Sequence, residues 1–427
     1  MSPTRARPLA ALLLLVFATT CQPAARTTPA PAPAPAAAGP VHTIATRDPR
    51  PPTARASAAR LVDTLAGRRP DYRALLHALA RYRMLAADSG VPTVPIPDHL
   101  PVHPGDSLDI IPALRGRLAA LGDLDRSAAM SDTVYEGALV EGVRHYQRRH
   151  GLPDDGVIGR ETLLALQTPI ATRVAQIEAA LAALRREPRV DSGPFVIVNV
   201  PAFRLFAWDG LPDDTAPALE SRVIVGQAVK RETPSLANQL RYLDFGPYWE
   251  VPRSIIVAEM IPAMQHDSLY LRRQNMELVA RGDVAVGDTI TPGALDSLRS
   301  GMLRVRQRPG PSNALGRVKF VIPNDSNIYL HDTPDKSLFA RPRRDFSHGC
   351  IRVEQARSLA IWAAREIPTW TADSVDTALA GPDSRRVALP RPIPVIIEYV
   401  TVMAAQDGTV WFLPDIYGRT ADPLNSW

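Results

Sequence analysis

The stretch 346-FSHGCIRVE-354 holds one of only two cysteines in 427 residues. The other, Cys21, closes an N-terminal apolar run. A sulfur attacks a carbonyl only as the thiolate, and a free cysteine has a pKa near ~8.5, so most of it is protonated at neutral pH. It needs a base or a positive neighbour, usually histidine, and backbone N–H donors for the oxyanion that forms on the attacked carbonyl. The stretch 328-IYLHDTP-334 supplies a candidate base, His331, nineteen residues upstream. It ends an apolar strand-like run and precedes a Pro-containing turn, a good place to present an imidazole. Gly349 allows a sharp backbone and unobstructed N–H groups beside the sulfur. On an extended segment Arg352 points to the same side as Cys350, where it favours the thiolate or holds a substrate carboxylate.

Blander readings exist for each residue. A lone cysteine is more often a small buried hydrophobe than a nucleophile. His348 is either a second base or a histidine that hydrogen-bonds the backbone, and the structural role is preferred. A zinc site would want about four close-spaced Cys or His ligands. The chain has no CxxC and no HExxH, and its nine histidines are scattered, so no metal is expected. No GxGxxG, P-loop or GxSxG elbow occurs, so no cofactor is implied.

Working outward, Arg5 and Arg7 precede 9-LAALLLLVFA-18, an apolar core behind a basic tip that reads as an export signal. Ten residues of helix span ~15 Å, too little for a bilayer core of ~30 Å. The protein is therefore expected to work outside the cytoplasm, in the periplasm or cell envelope. Cys21 follows Thr19-Thr20; its favoured fates are lipidation, which gives a membrane tether, or removal with the signal, while a disulfide to Cys350 in an oxidising compartment is disfavoured by the Pro-Ala tail it adjoins. Either favoured fate leaves Cys350 as the only thiol of the folded body. The net charge of +5 comes from 49 basic and 44 acidic residues, too slight an imbalance to argue for nucleic acid.

Residues 27–40, TTPAPAPAPAAAGP, form a Pro-Ala spacer of semi-rigid polyproline character. Residues about 55–90 carry Leu75, Leu76, Leu79, Tyr82 and Leu85 at helical spacing. Residues about 109–168 predict three helices: a stripe of Ile111, Leu114, Leu118 and Leu121, a second run over 135–151, and a third from Arg160 after the turn 154-DDGVIG-159. From residue 193 the pattern changes to strands such as 194-PFVIVNVPAFRLFAW-208. Ser254 to Met302 reads as a polar helical insertion laid over this β unit. Residues 354–367 predict an amphipathic helix, and 393–415 a hairpin turning at Asp407-Gly408.

On these residues the chain resembles the L,D-transpeptidase catalytic domain of the YkuD type. Ser347, His348, Gly349 and Cys350 match that family's Ser/Thr-His-Gly-Cys signature, and His331 falls at an accepted spacing upstream. Arg352 stands where many members have Asn. WEVPRSI (249–255) and RVRQRPGPSNALGRVKF (304–320) resemble larger periplasmic members that carry a capping subdomain, and 109–168 looks like a peptidoglycan-binding module.

The resemblance implies an α+β multidomain protein: a mostly-β catalytic domain with a helical capping insertion, a small three-helix peptidoglycan-binding domain and an N-terminal helical scaffold. The expected division is a signal over 1–20, a Pro/Ala-rich linker over 21–54, the scaffold over 55–106 and the binding domain over 107–170. The catalytic domain follows over 193–370 with its cap at 254–303, then a C-terminal β extension over 390–427. Cys350 is implied as nucleophile and His331 as proton donor and acceptor, supported by Ser347, His348, Gly349 and Arg352. The partners implied are peptidoglycan stem peptides, with carbapenem β-lactams as covalent inhibitors. Stem-to-stem 3→3 cross-linking is the expected activity. An L,D-carboxypeptidase, an enzyme attaching lipoprotein to the wall and a non-catalytic wall-binding protein are the alternatives.

Overall fold

The computed structural model describes residues 70–125, 133–187, 190, 192–210, 217–405 and 407–420. The signal expected over 1–20, Cys21 and the Pro-Ala spacer lie outside these residues. All described elements belong to one compact unit, Thr53–Trp427.

The helical half is built on apolar stripes. Helix Pro70–Ala87 buries Tyr72, Leu75, Leu79 and Tyr82. The three helices read from the sequence are present as Ile111–Leu121, Ala138–Arg149 and Arg160–Gln167. Gly122 ends the first of them in a left-handed conformation, φ 84°, which a Cβ would strain. A further helix, Ile170–Leu184, packs on Pro70–Ala87 and buries Ile170, Ile177, Leu181 and Leu184. Its stripe was readable in the sequence, but the expected domain boundary at 170 hid it.

The sheets come next in the chain. Strands β1 (Phe195–Asn199), β2 (Arg204–Trp208), β3 (Leu219–Gly226) and β4 (Leu236–Phe245) precede the insertion. Strands β5 (Trp249–Glu250), β6 (Met276–Val279), β7 (Ala285–Gly287) and β8 (Arg304–Gln307) make its sheet, so that β5 and β8 flank the expected bounds of 254–303. Strands β9 (Val318–Val321), β10 (Leu330–His331), β11 (Asp345–Ser347), β12 (Ile351–Val353) and β13 (Arg385–Glu398) follow, and β14 (Val402–Ala404) and β15 (Val410–Phe412) complete the set. The main sheet has nine strands in the order β11-β3-β12-β10-β9-β4-β13-β1-β2, and β2 pairs back to β3. That pairing closes the sheet into a barrel and leaves β11 as a branch. Alternation sends Val198, Leu205, Val225, Leu243, Phe320, Leu330, Ile351 and Val395 inward, where helices Ala356–Ala364 and Ala372–Ala380 complete the core. Each fully buried Val or Leu side chain contributes roughly 1.5–3 kcal/mol.

Two expectations change. The insertion, read as helical, is mixed. Its helical run Arg253–His266, with a π-type turn at Ile256–Met260, packs against a four-stranded sheet ordered β5-β8-β6-β7 around its own core of Met260, Leu271, Leu278 and Val305. The residues after 390 are also not one extension. Strand β13 starts at Arg385 and lies inside the barrel, parallel to β1 and antiparallel to β4. Only β14 and β15 form a hairpin, and Val402, Val410 and Phe412 pack into the core of the helical half. The part of β13 from Ile393, expected as one arm of the 393–415 hairpin, pairs instead with β1 and β4. The structure places Pro390 and Pro392 at a register shift between Ala388 and Ile393, where no ladder hydrogen bond is required of them.

Candidate active site

The barrel places the candidate residues on its outer surface. Strands β10 and β12 run parallel, with Leu330 opposite Ile351 and His331 opposite Arg352. Leu330 and Ile351 point into the core. By alternation Tyr329, His331, Cys350 and Arg352 therefore share the outer face. Lys319 of β9 lies opposite His331 on the other side. Asp244 of β4 lies opposite Lys319. One row thus crosses the barrel: Asp244, Lys319, His331, Arg352. Tyr329 and Cys350 stand one step along from it.

His331 is buried, with 5% of its surface exposed. Its Nδ1–H donates to the backbone carbonyl of Asp332 at 2.6 Å. A carbonyl only accepts, so the proton sits on Nδ1 and Nε2 keeps its lone pair. The group that orients the imidazole is therefore a main-chain carbonyl. The Asp332 carboxylate is occupied elsewhere: it accepts from the Arg317 N–H at 2.9 Å and from Lys336 Nζ at 2.6 Å. Burial, with the charge of Arg352 beside it, pushes the His331 pKa down to about 3. The resting ring is neutral.

Cys350 is partly exposed, and its Sγ–H donates to the Asn327 carbonyl at 3.6 Å. Burial of the sulfur pushes the thiol pKa up, while the N–H and hydroxyl of Tyr329 and the charge of Lys319 pull the other way. The balance keeps the thiol protonated at neutral pH. A neutral thiol and a neutral imidazole on one face of the barrel are the resting state, not a preformed ion pair.

The turn between β11 and β12 is fixed by side chains. Ser347 Oγ donates to the Cys350 carbonyl at 2.6 Å and accepts from the Gly349 N–H at 3.1 Å. Gly349 has φ 119°, which its lack of a Cβ permits. Its N–H is thus taken, contrary to the expectation of open donors there. Among the described residues the Cys350 N–H has no partner. Thr233 Oγ1 donates to the Gly349 carbonyl at 2.8 Å and accepts from the Gly226 N–H at 2.9 Å, tying the turn to β3. Gly226 is required there, since a Cβ would come within 1.8 Å of the Arg231 carbonyl oxygen.

His348 points away from the sulfur. Its Nε2 meets Glu259 Oε1 of the insertion at 2.9 Å, and Arg231 Nη2 meets the same oxygen at 2.6 Å. These hydrogen bonds, that of His348 first, hold the Glu259 carboxyl below its usual range. Sequence reasoning missed Tyr329, Lys319, Arg231, Thr233 and Glu259. Tyr329 was available as the residue two before His331 on the same strand face. The others reach the site only through sheet register and the fold of the insertion. Among the described residues no group of three or more His, Cys, Asp or Glu is arranged to hold a metal ion.

With this geometry in view, the comparisons fall on the same segments. The family model of the "L,D-transpeptidase catalytic domain" (YkuD) matches residues 193–387. That of a "Putative peptidoglycan binding domain" matches residues 108–166. A curated "Putative L,D-transpeptidase" of Haemophilus influenzae is 34% identical over 265 residues, covering 61% of this chain and 52% of its own length. The chain therefore spans about half the length of the curated relative it matches. Of solved structures, an L,D-transpeptidase from Stackebrandtia nassauensis is 14% identical, covering 74% of this chain and 99% of its own, with a TM-score of 0.25. A fused Zn-dependent amidase/peptidase/peptidoglycan-binding domain-containing protein from Clostridium acetobutylicum is 12% identical, covering 70% and 99%, with a TM-score of 0.20.

Proposed function

Residues 193–387 belong to the L,D-transpeptidase catalytic-domain family, and from that premise we propose that the chain is an exported peptidoglycan L,D-transpeptidase that forms 3→3 cross-links. The observation that carries the reading is the shared outer face of Cys350, Tyr329 and His331, with the imidazole held in one tautomer by the Asp332 carbonyl. Cys350 Sγ attacks the carbonyl carbon of the third residue of a tetrapeptide stem. As the S–C bond forms, the thiol proton passes to His331 Nε2. The Cys350 N–H, which has no partner among the described residues, donates to the developing oxyanion. The C–N bond then breaks, and His331 returns the proton to the leaving amine, which departs as D-Ala. A side-chain amine of a second stem attacks the thioester, gives a proton to His331 and forms the new amide. The sulfur regains its proton from the imidazole.

Because both groups rest neutral, His331 acts as a general base during attack. The insertion, anchored to the catalytic turn through Glu259, limits water and favours an amine acceptor. Residues 108–166 hold the polymer, and the N-terminal run sends the chain to the periplasm or envelope, anchored there if Cys21 is lipidated. The same thiol opens strained β-lactam carbonyls, carbapenems in particular. An L,D-carboxypeptidase is the second reading, since water and amine use one thioester.

The test is incubation of disaccharide-tetrapeptide with the full chain and with Cys350→Ala, followed by product mass analysis. A dimer joined through third residues, with D-Ala released by the wild type alone, is expected. Tripeptide without dimer selects the carboxypeptidase. Turnover by Cys350→Ala removes the sulfur from the reaction.

A further inference from the structure

His331 stands between two cations, Lys319 and Arg352, its register partners on the two neighbouring strands. Both cations are half-buried. Among the described residues, neither forms a hydrogen bond or ion pair with an acidic side chain. Asp244, opposite Lys319, is held by Arg386 through two bonds of 2.7 and 2.8 Å. The Asp332 carboxylate is turned to Arg317 and Lys336. Asp335 influences Arg352 only at a distance. The Lys319 ammonium lies over the Tyr329 ring, 4.0 Å from its centroid. Taking a guanidinium partly out of water without an anion is costly, so a ligand that supplies one is favoured.

The row also fixes where that anion comes from. In the transpeptidase reading, on which this inference rests, the leaving nitrogen must sit at His331 to receive its proton. In an α-amino acid the carboxylate is one carbon from that nitrogen. Adjacent strands lie about 4.8 Å apart, so the carboxylate falls on a register partner of His331. Arg352 is that partner, because its planar fork matches a carboxylate, it follows Cys350 on the same strand face, and the Lys319 ammonium is engaged with a ring. We propose that Arg352 binds the carboxylate of the amino acid that the reaction expels, so that the site prefers donors whose leaving residue ends in a free carboxylate. Lys319 adds positive potential to the same row.

The experiment compares a disaccharide-tetrapeptide donor with the same donor carrying a C-terminal carboxamide. Release of the amino acid or its amide is followed by mass spectrometry, in the full-length wild type, Arg352→Gln and Arg352→Lys. Iodoacetamide labelling of Cys350 and a thermal melt report on thiol and fold. The wild type is expected to prefer the acid by at least ~10-fold in kcat/KM, the scale of a charge-assisted hydrogen bond. Arg352→Gln is expected to lower turnover of the acid, leave the amide little changed and so bring the ratio close to one. Arg352→Lys keeps part of the preference and serves as the folded comparison if the Gln variant fails to fold. Equal use of both donors by the wild type overturns the inference, as does a folded Gln variant, or a folded Lys variant where Gln does not fold, that retains the full preference. Release of neither product by the wild type sinks the transpeptidase reading itself, and this inference with it.

Discussion

His348 of the catalytic turn and Glu259 of the insertion meet at 2.9 Å, and Arg231 shares the same carboxylate oxygen. The residue two before Cys350 is thus fastened to the insertion. The contact is partly solvated, and such pairs are worth about 1 kcal/mol or less. Glu259→Gln is therefore expected to leave the melting temperature almost unchanged, yet to loosen the insertion over the sulfur. The product ratio of cross-linked dimer to hydrolysed tripeptide should fall by about 2–5-fold, the rate equivalent of that energy. An unchanged ratio would show that Glu259 does not couple the insertion to acceptor choice.

The buried imidazole gives the site an uncommon pH response. His331 falls from an ordinary 6.5 to about 3, and the thiol rises. Both partners then stay in their working protonation states from mildly acid to mildly alkaline pH. A plot of kcat/KM against pH should show no inflection near 6.5, with an acid limb only as His331 gains its proton near about 3. A bell centred near neutrality contradicts a neutral resting pair.

Stability follows the same shift with a definite sign. The unfolded chain takes up a proton on this histidine near pH 6.5, while the folded chain resists until about 3. The stabilisation is fully present above 6.5 and drains away as pH falls through that window, a total on the order of a few kcal/mol. His150, buried in the helical half and pushed well below its usual value by burial, acts with the same sign. The measurement is therefore a difference: the melting temperature of His331→Gln should fall less steeply between pH 6.5 and 4 than that of wild type. Parallel slopes contradict the assignment.

Removing one hydroxyl probes the reactivity of the Cys350 thiol. Burial makes the Tyr329 hydroxyl hard to ionise, and its approach to the sulfur holds the thiol pKa lower than burial alone would. Tyr329→Phe should raise the thiol pKa further and slow iodoacetamide alkylation at pH 8 by about 10-fold, one lost charge-assisted hydrogen bond. Alkylation at the wild-type rate would place the hydroxyl outside the reaction.

In the helical half, Asp123 and Arg149 form a buried pair joined by two hydrogen bonds, one of 2.7 Å, and His145 Nδ1 reaches the same carboxylate at 2.7 Å. Asp123→Ala strands the Arg149 guanidinium and should cost about 3–5 kcal/mol. The loss is read as a fall in denaturant midpoint, while Cys350 alkylation in native buffer stays near normal. A midpoint within experimental error of wild type removes the pair from the stability of this half.

The candidate residues were more legible than their setting. Cys350 and His331 stand out because a rare residue type and a histidine sit in short motifs with local meaning. The three helices over 111–167 declare themselves by apolar spacing and the Asp155-Gly156 turn. Lys319 reads in sequence as an ordinary polar residue alternating between Val318 and Phe320. Its place beside His331 is set by antiparallel pairing, which no local pattern specifies. Glu259 lies in an insertion whose own fold must form before it faces His348. The second half of β13, from Ile393, was legible as a strand but was assigned to a local hairpin, because its true partners β1 and β4 lie far away in the chain.

The β14–β15 hairpin carries a consequence for biosynthesis. Arg149 donates through Nη1 to the carbonyl of Val410 at 3.0 Å, across 261 residues of chain. The helices are made early, but the wall that seals their interior is translated only after the whole barrel. A nascent chain halted before Val402 holds those helices with their apolar side unroofed, vulnerable to proteases and adhesive to chaperones. Native closure of the helical half is thus delayed until synthesis has passed Phe412, long after its own helices are made.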